Sequence, residues 1–190
     1  MKVLFVDEVH PVLSERLVQK GFECIHFEDR SIKEIHSILP EIEGLVIRSR
    51  FPVDEDFLSQ AKALKFIARS GAGMENIDIS FCEKNNISLF NAPEGNRDAV
   101  GEHAIAMILS LLNKLQQGQL QIEQGIWDRE GNRGFELGGK TVGIIGYGNN
   151  GKAFAKKLSG FGVKVLAYDK FLVNYSDEFA EESSMDDLFE

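Results

Sequence analysis

The stretch Thr141-Val142-Gly143-Ile144-Ile145-Gly146-Tyr147-Gly148-Asn149-Asn150-Gly151 sets a short apolar run against glycines at 146, 148 and 151. The apolar run predicts a buried strand, Thr141–Ile145, and a helical pattern from about Asn150 to Ser159 follows it. A second strand, Lys164–Tyr168, ends on Asp169, 23 residues after Gly146. Strand, glycine turn, helix, strand and acid in this order form the context in which Gly-x-Gly-x-x-Gly holds a dinucleotide. Gly146 permits the tight turn, Gly148 lets a pyrophosphate approach the backbone, and Gly151 allows close packing of helix on strand. Helix N-terminal amides then face the phosphates, and a carboxylate at Asp169 is placed for the ribose hydroxyls. A glycine turn in any doubly wound fold gives the same spacing, including that of methyltransferases that bind S-adenosylmethionine.

Upstream, short apolar runs recur at Val3–Val6, Cys24–Phe27, Leu45–Ile47, Phe66–Ala68 and Ile87–Phe90. Between them lie helical patterns. Pro11 suits the first turn of a helix reaching about Lys20, and Gly21 closes it. Ser31 and Glu34 form a capping box ahead of a short helix limited by Pro40, and residues 54–63 and 79–85 are also helical in pattern. Strands alternating with helices imply an α/β domain with a parallel sheet, ending near residue 97. A long helix is expected from about Asp98 to at least Leu115, apolar enough through Ala104–Leu112 to lie at a domain or subunit interface. Residues 125–139 read as a loop, and Ser184 with Asp187 as the cap of one more helix. Two strands are expected after residue 140, whereas a dinucleotide-binding Rossmann domain has two βαβαβ halves.

Two further segments follow predicted strands directly. Arg48-Ser49-Arg50 follows the third run, and Arg69-Ser70-Gly71-Ala72-Gly73 the fourth. Ligands of open parallel sheets gather beyond the carboxyl ends of the strands. There a glycine-rich turn exposes amides to a carboxylate, and an arginine adds a bidentate partner. Salt bridges at the sheet edge would account for the same arginines. The loop Asn91–Asn96 follows the fifth run and is placed to close over the same crevice, or to be an ordinary turn. His103 beside Glu102 fits a packing role, and His10, His26 and His36 form no triad or metal set. Cys24 and Cys82 lie in apolar contexts without ligand spacing, as buried thiols do. The 190 residues are 43% hydrophobic and 27% charged, with a formal net charge of -9 and no basic stripe, which argues against a nucleic-acid surface. No apolar run is long enough to span a bilayer, and a soluble cytoplasmic protein is expected.

At these residues the chain resembles the D-isomer-specific 2-hydroxyacid dehydrogenases, in their D-3-phosphoglycerate dehydrogenase-like branch. The resemblance is carried by Ile47-Arg48-Ser49, by Phe66–Asp78, by Asn91–Asn96 before Glu102-His103, and by Gly139–Gly146 with Ala167-Tyr168-Asp169. It implies a flavodoxin-like substrate domain over residues 1–97. A linker helix and the first part of an NAD-binding Rossmann domain are then implied over 98–190. It implies that Arg48, Ser49, Arg69, Gly71 and Ala72 face the substrate carboxylate or the cofactor. Ala72, Gly146, Gly148, Asn149, Asn150, Gly151 and Asp169 are implied to hold NAD. A homodimer using the long helix is implied as well, with a small 2-hydroxy or 2-oxo acid as substrate. The family's catalytic Arg and its Glu–His acid/base pair are expected beyond Glu190, so no catalytic residue is expected within this chain, which on its own should be inactive. At Asn149-Asn150 the chain departs from the family's usual Arg followed by an apolar residue. Asn149 is expected to cap the helix instead. The same fold serves transcriptional corepressors, which leaves non-catalytic NAD(H) binding as a second reading.

Overall fold

The computed structural model describes residues 1–189. The chain divides into two compact units, Met1–Gly95 and a second that begins at Asn96. In the first, β1 (Lys2–Phe5), α1 (Val12–Gln19), β2 (Glu23–His26), α2 (Ile32–Ile38) and β3 (Gly44–Ile47) are followed by α3 (Glu55–Leu58), β4 (Phe66–Arg69), α4 (Ile79–Lys84) and β5 (Ser88–Phe90). The five strands are all parallel in the order β2-β1-β3-β4-β5. That is the flavodoxin-like order, with its switch point between β1 and β3.

Alternation along the strands gives this sheet two different faces. Leu4, Val6, Leu45, Ile47 and Ile67 point to one side, where they are buried with Ile35 of α2, Phe57 and Leu58 of α3 and Cys82 of α4. Val3, Phe5 and Val46 point to the other, against the half-buried Leu13 and Leu17 of α1. β3 is buried at every residue, as a central parallel strand should be. The capping box is formed: the Ser31 hydroxyl accepts from the Glu34 amide, and the Glu34 carboxylate accepts from the Ser31 amide at 2.9 Å. Residues 54–63 fall short of the expected helix. Asp54 caps it, but it ends at Leu58, and residues 59–65 turn so as to bury Ala61 and Leu64.

The second unit holds α5 (Arg97–Leu112), α6 (Leu115–Glu123), β6 (Thr141–Ile145), α7 (Asn149–Leu158), β7 (Lys164–Tyr168) and β8 (Glu181–Glu182). The expected long helix is broken. It stops at Leu112, and Lys114 takes a left-handed φ of 52° before α6 starts. Lys114 Nζ donates to the Gly131 carbonyl at 2.8 Å, which helps offset the strain of that conformation. The sheet is parallel in the order β6-β7-β8, so among the described residues three strands rather than two follow residue 140. β8 is two glutamates long and is held by its ladder to Leu166 and Ala167 rather than by its own propensity. Ser184 and Asp187 bond to each other at the start of the 3-10 segment Asp186–Leu188, but its N-cap is Met185, without a side-chain cap.

One face of this sheet packs Val142, Ile144, Val165 and Ala167 against Ala155 and Leu158 of α7 and Ile105, Ile108, Leu109 and Leu112 of α5. α5 and α7 meet at Gly101, where an added Cβ would lie 3.1 Å from the Ala153 carbonyl. Lys157 Nζ closes that contact, 3.1 Å from Glu102 and 3.5 Å from Asp98. β6 is the outer strand among the described residues, and Ile145 on its other face is 64% exposed. No helix among the described residues is long and apolar enough to cross a membrane.

Candidate functional site

In the first unit, the sequence-predicted anion loops stand on adjacent strands, β3 and β4, whose register pairs Ile47 with Arg69. Their internal bonding differs. The amides of Arg48, Ser49 and Arg50 all donate to Oδ2 of Asp7, at 2.7, 3.0 and 3.1 Å. This run of amides is a concave anion nest, and a carboxylate of the chain's own already fills it. Arg50 is likewise committed. Its guanidinium donates to the carbonyls of Val6 at 2.7 Å, Phe27 at 2.8 Å and Arg30 at 2.5 Å, tying together the ends of β1, β2 and β3. The Arg48 side chain is exposed, with a long 3.5 Å contact to the Glu8 carbonyl.

The Arg69–Gly73 loop is open in the way the first loop is closed. Arg69 Nε donates to the Arg48 carbonyl at 2.9 Å and Nη1 to the Gly73 carbonyl, with Glu75 3.4 Å away. These bonds hold the side chain, 16% exposed, under the turn, while Nη2 has no protein partner among the described residues. Asn91 Nδ2 donates to the Ala72 carbonyl at 2.6 Å, and the Ala92 amide to the Gly71 carbonyl at 2.9 Å. Those contacts use the carbonyls. Among the described residues, the amides of Gly71, Ala72 and Gly73 have no protein acceptor, and all three residues are only half-buried. Unpartnered amides beside a guanidinium are groups that a small carboxylate can bind.

In the second unit the glycine turn has the expected geometry. Gly146 has φ +93°, a conformation that L side chains avoid, and its amide donates to the Tyr168 carbonyl at 2.7 Å. A Cβ at Gly151 would collide with the Gly146 carbonyl oxygen, so no larger residue fits there. Gly148 is the opposite case. Its φ of -77° is ordinary, and a Cβ there would meet nothing within 4 Å. The space above Gly148 is therefore open, and glycine is also an ordinary N-cap residue. Gly148 is the N-cap of α7, with no side-chain cap, so the amides of Asn149, Asn150 and Gly151 are unsatisfied within the helix. Asn149 thus occupies the first helical position and does not cap α7, contrary to expectation, because the turn reaches helical geometry one residue earlier.

Asp169 stands at the end of β7. Its Oδ2 accepts from the Tyr147 amide at 2.8 Å, and its Oδ1 from the amides of Phe171 at 2.9 Å and Leu172 at 3.1 Å. The Phe171 and Tyr147 amides hold its carboxyl below the ordinary carboxylate range. It is therefore an ionised, fixed acceptor beside the glycine turn. Asp7 and Tyr147 are the residues that sequence reasoning missed. Asp7 could have been flagged as a lone acid ending β1, but its partners lie 41–43 residues away.

Residues 3–190 match the family described as D-isomer specific 2-hydroxyacid dehydrogenase, catalytic domain. The chain belongs to this family. Among curated 2-hydroxyacid dehydrogenase relatives, D-3-phosphoglycerate dehydrogenase of Archaeoglobus fulgidus is 37% identical over 182 residues, covering 96% of this chain and 34% of that protein. D-3-phosphoglycerate dehydrogenase of Sus scrofa is 33% identical over 171 residues, covering 90% of this chain and 32% of its own length. The chain thus spans about a third of the length of these dehydrogenases. Among solved structures, NAD-dependent formate dehydrogenase from Staphylococcus aureus in complex with NAD superposes with a TM-score of 0.81 at 25% identity, covering 99% of this chain and 62% of that one.

Proposed function

We propose that this chain serves an NAD-dependent oxidoreductase acting on the CH–OH group of a D-2-hydroxy acid. Gly146, Gly148, Asn149, Asn150, Gly151 and Asp169 hold the dinucleotide in this reading. The first-turn amides of α7 take the pyrophosphate, and Asp169 accepts from the adenosine ribose hydroxyls. When bound, NAD accepts or supplies a hydride at the substrate C2 carbon. Arg69 and the amides of Gly71, Ala72 and Gly73 hold the substrate carboxylate, and Ala72 is assigned to the cofactor by family resemblance alone. Arg48 contributes an exposed cation beside them, and Ser49 a hydroxyl. We assign no residue of this chain to the proton transfer.

The observation that carries the reading is Gly148, a glycine that neither backbone conformation nor protein packing requires, set beside free helix amides and an ionised Asp169. The similarity to D-3-phosphoglycerate dehydrogenases makes D-3-phosphoglycerate the first substrate to test. The outer face of α5 and the start of α6 expose Met107, Leu111 and Leu115, which supports a homodimer through this helix. The experiment is NADH titration by fluorescence with an assay of D-3-phosphoglycerate oxidation and hydroxypyruvate reduction. Micromolar NADH binding with turnover is expected of the full-length protein. Nucleotide binding without turnover on any 2-hydroxy acid would favour a non-catalytic NAD(H)-responsive protein.

A further inference from the structure

Tyr147 is the only side chain in the turn between Gly146 and Gly148, and it is anchored at both ends. Its amide donates to Asp169 Oδ2 at 2.8 Å, and its hydroxyl donates to Asp177 Oδ1, also at 2.8 Å. The ring between these bonds is fully buried. Asp177 Oδ1 also accepts from the amides of Phe179 at 2.8 Å and Ala180 at 3.2 Å, so the acid itself is pinned. Tyr175 packs beside Tyr147 with ring centroids 5.7 Å apart. Its hydroxyl donates to the Ala167 carbonyl at 2.9 Å and accepts from the Asp169 amide at 2.8 Å. Lys152 Nζ on α7 lies 5.7 Å from the Tyr147 ring centre.

The glycine turn, the carboxylate at the end of β7 and the segment 175–180 are therefore one hydrogen-bonded unit. A phenylalanine at 147 would fill the same space, so packing alone does not call for a tyrosine. Burial works against ionisation of Asp177, yet the Phe179 amide and the Tyr147 hydroxyl outweigh it and keep the carboxyl below its ordinary range. Burial also pushes the Tyr147 hydroxyl well above its ordinary value, which keeps it a donor. Two glycines flanking one residue would otherwise make this turn the freest part of the binding loop.

We infer that Tyr147 is a positioning residue: its hydrogen bond to Asp177 fixes the Gly146–Gly148 turn and the Asp169 carboxylate in dinucleotide-binding geometry before the ligand arrives. The inference rests on the cofactor reading above. A turn ordered in advance loses no conformational freedom on binding, and the difference is read as affinity.

The test compares Tyr147→Phe and Asp177→Asn with the parent full chain. NADH and ADP-ribose are titrated, and amide hydrogen exchange is followed without nucleotide. Tyr147→Phe should weaken both ligands by about three- to tenfold, the size of one buried hydrogen bond. Exchange at residues 146–148 and 177–180 should speed up together. Asp177→Asn keeps an acceptor and should lose less, and the double variant should be no weaker than Tyr147→Phe. Unchanged affinity in Tyr147→Phe, with only a lower melting temperature, would reduce Tyr147 to a packing residue. If the parent binds neither nucleotide, the cofactor reading fails and takes this inference with it.

Discussion

Replacing Asp7 by alanine should empty the amide nest at residues 48–50 and create an anion site that the parent does not have. In the parent, one carboxylate oxygen takes three amides at 2.7, 3.0 and 3.1 Å. A charge-assisted hydrogen bond is worth about 1.5–3 kcal/mol, but three sharing one partly solvated oxygen do not add in full. A loss of about 2–3 kcal/mol is expected, or on the order of 10–20 °C in the transition of a unit this size. The freed amides remain convergent, so sulfate or acetate should restore part of the loss. At ten times its dissociation constant, an anion returns about 1.4 kcal/mol. The assay is thermal unfolding of parent and Asp7→Ala across a sulfate series at constant ionic strength, with perchlorate as a weakly coordinating control. A melting temperature in Asp7→Ala equal to that of the parent would mean that the Asp7 carboxylate does not stabilise the nest. A loss that sulfate repairs no better than perchlorate would mean that the emptied nest takes no anion.

In the full-length protein, Arg69→Ala should lower kcat/KM for a 2-oxo acid by roughly 10- to 150-fold, the equivalent of about 1.5–3 kcal/mol, and leave NADH affinity nearly unchanged. Normal kinetics with a lower melting temperature would mean that its bonds to the Arg48 and Gly73 carbonyls are its whole role. Gly151→Ala should lower stability by about 1–3 kcal/mol, because its Cβ meets the Gly146 carbonyl in a packed turn; a melting temperature equal to the parent's would contradict that geometry. The carboxyls of Asp169 and Asp177 are held low in the folded chain, Asp169 by backbone amides and Asp177 by amides and Tyr147 that outweigh its burial. Their stabilisation is complete above the unfolded carboxylate range, about pH 4, and is lost as pH falls through their lower folded values. Acid unfolding should therefore steepen below about pH 4, and Asp177→Asn should shallow that limb. An unchanged limb in that variant would show that other carboxylates carry it.

The parallel strands were legible because their apolar runs are short, bounded and rich in β-branched residues. β6 and β7 fall where the sequence places them, and β1 to β5 shift by a residue or so. What was lost depends on contacts distant in sequence. Asn113 is only a weak stop signal for α5, and a left-handed lysine beside it, with neither glycine nor proline, is uncommon. β8 is two glutamates with no strand propensity, made a strand only by pairing with β7. At the site, the glycine pattern located the turn but not its bracing, because Tyr147 and Asp177 lie 30 residues apart. The two arginine loops looked alike in sequence. Their difference, one nest filled by Asp7 and one left with free amides, comes from which strand each loop sits beside.

We propose that the Gly146–Gly151 turn holds a dinucleotide pyrophosphate against the first turn of α7. Gly148→Ala tests it most directly, because the added methyl meets nothing in the protein within 4 Å and the backbone φ of -77° accepts it. The measurement is NADH titration of parent and variant, with melting temperature measured alongside. A loss of affinity of about tenfold or more, close to 1.4 kcal/mol, is predicted, with no more than about 1 kcal/mol lost from the fold, the cost of alanine at the α7 N-cap. NADH binding by Gly148→Ala as tight as the parent's would mean that nothing approaches the backbone there, and would contradict the account.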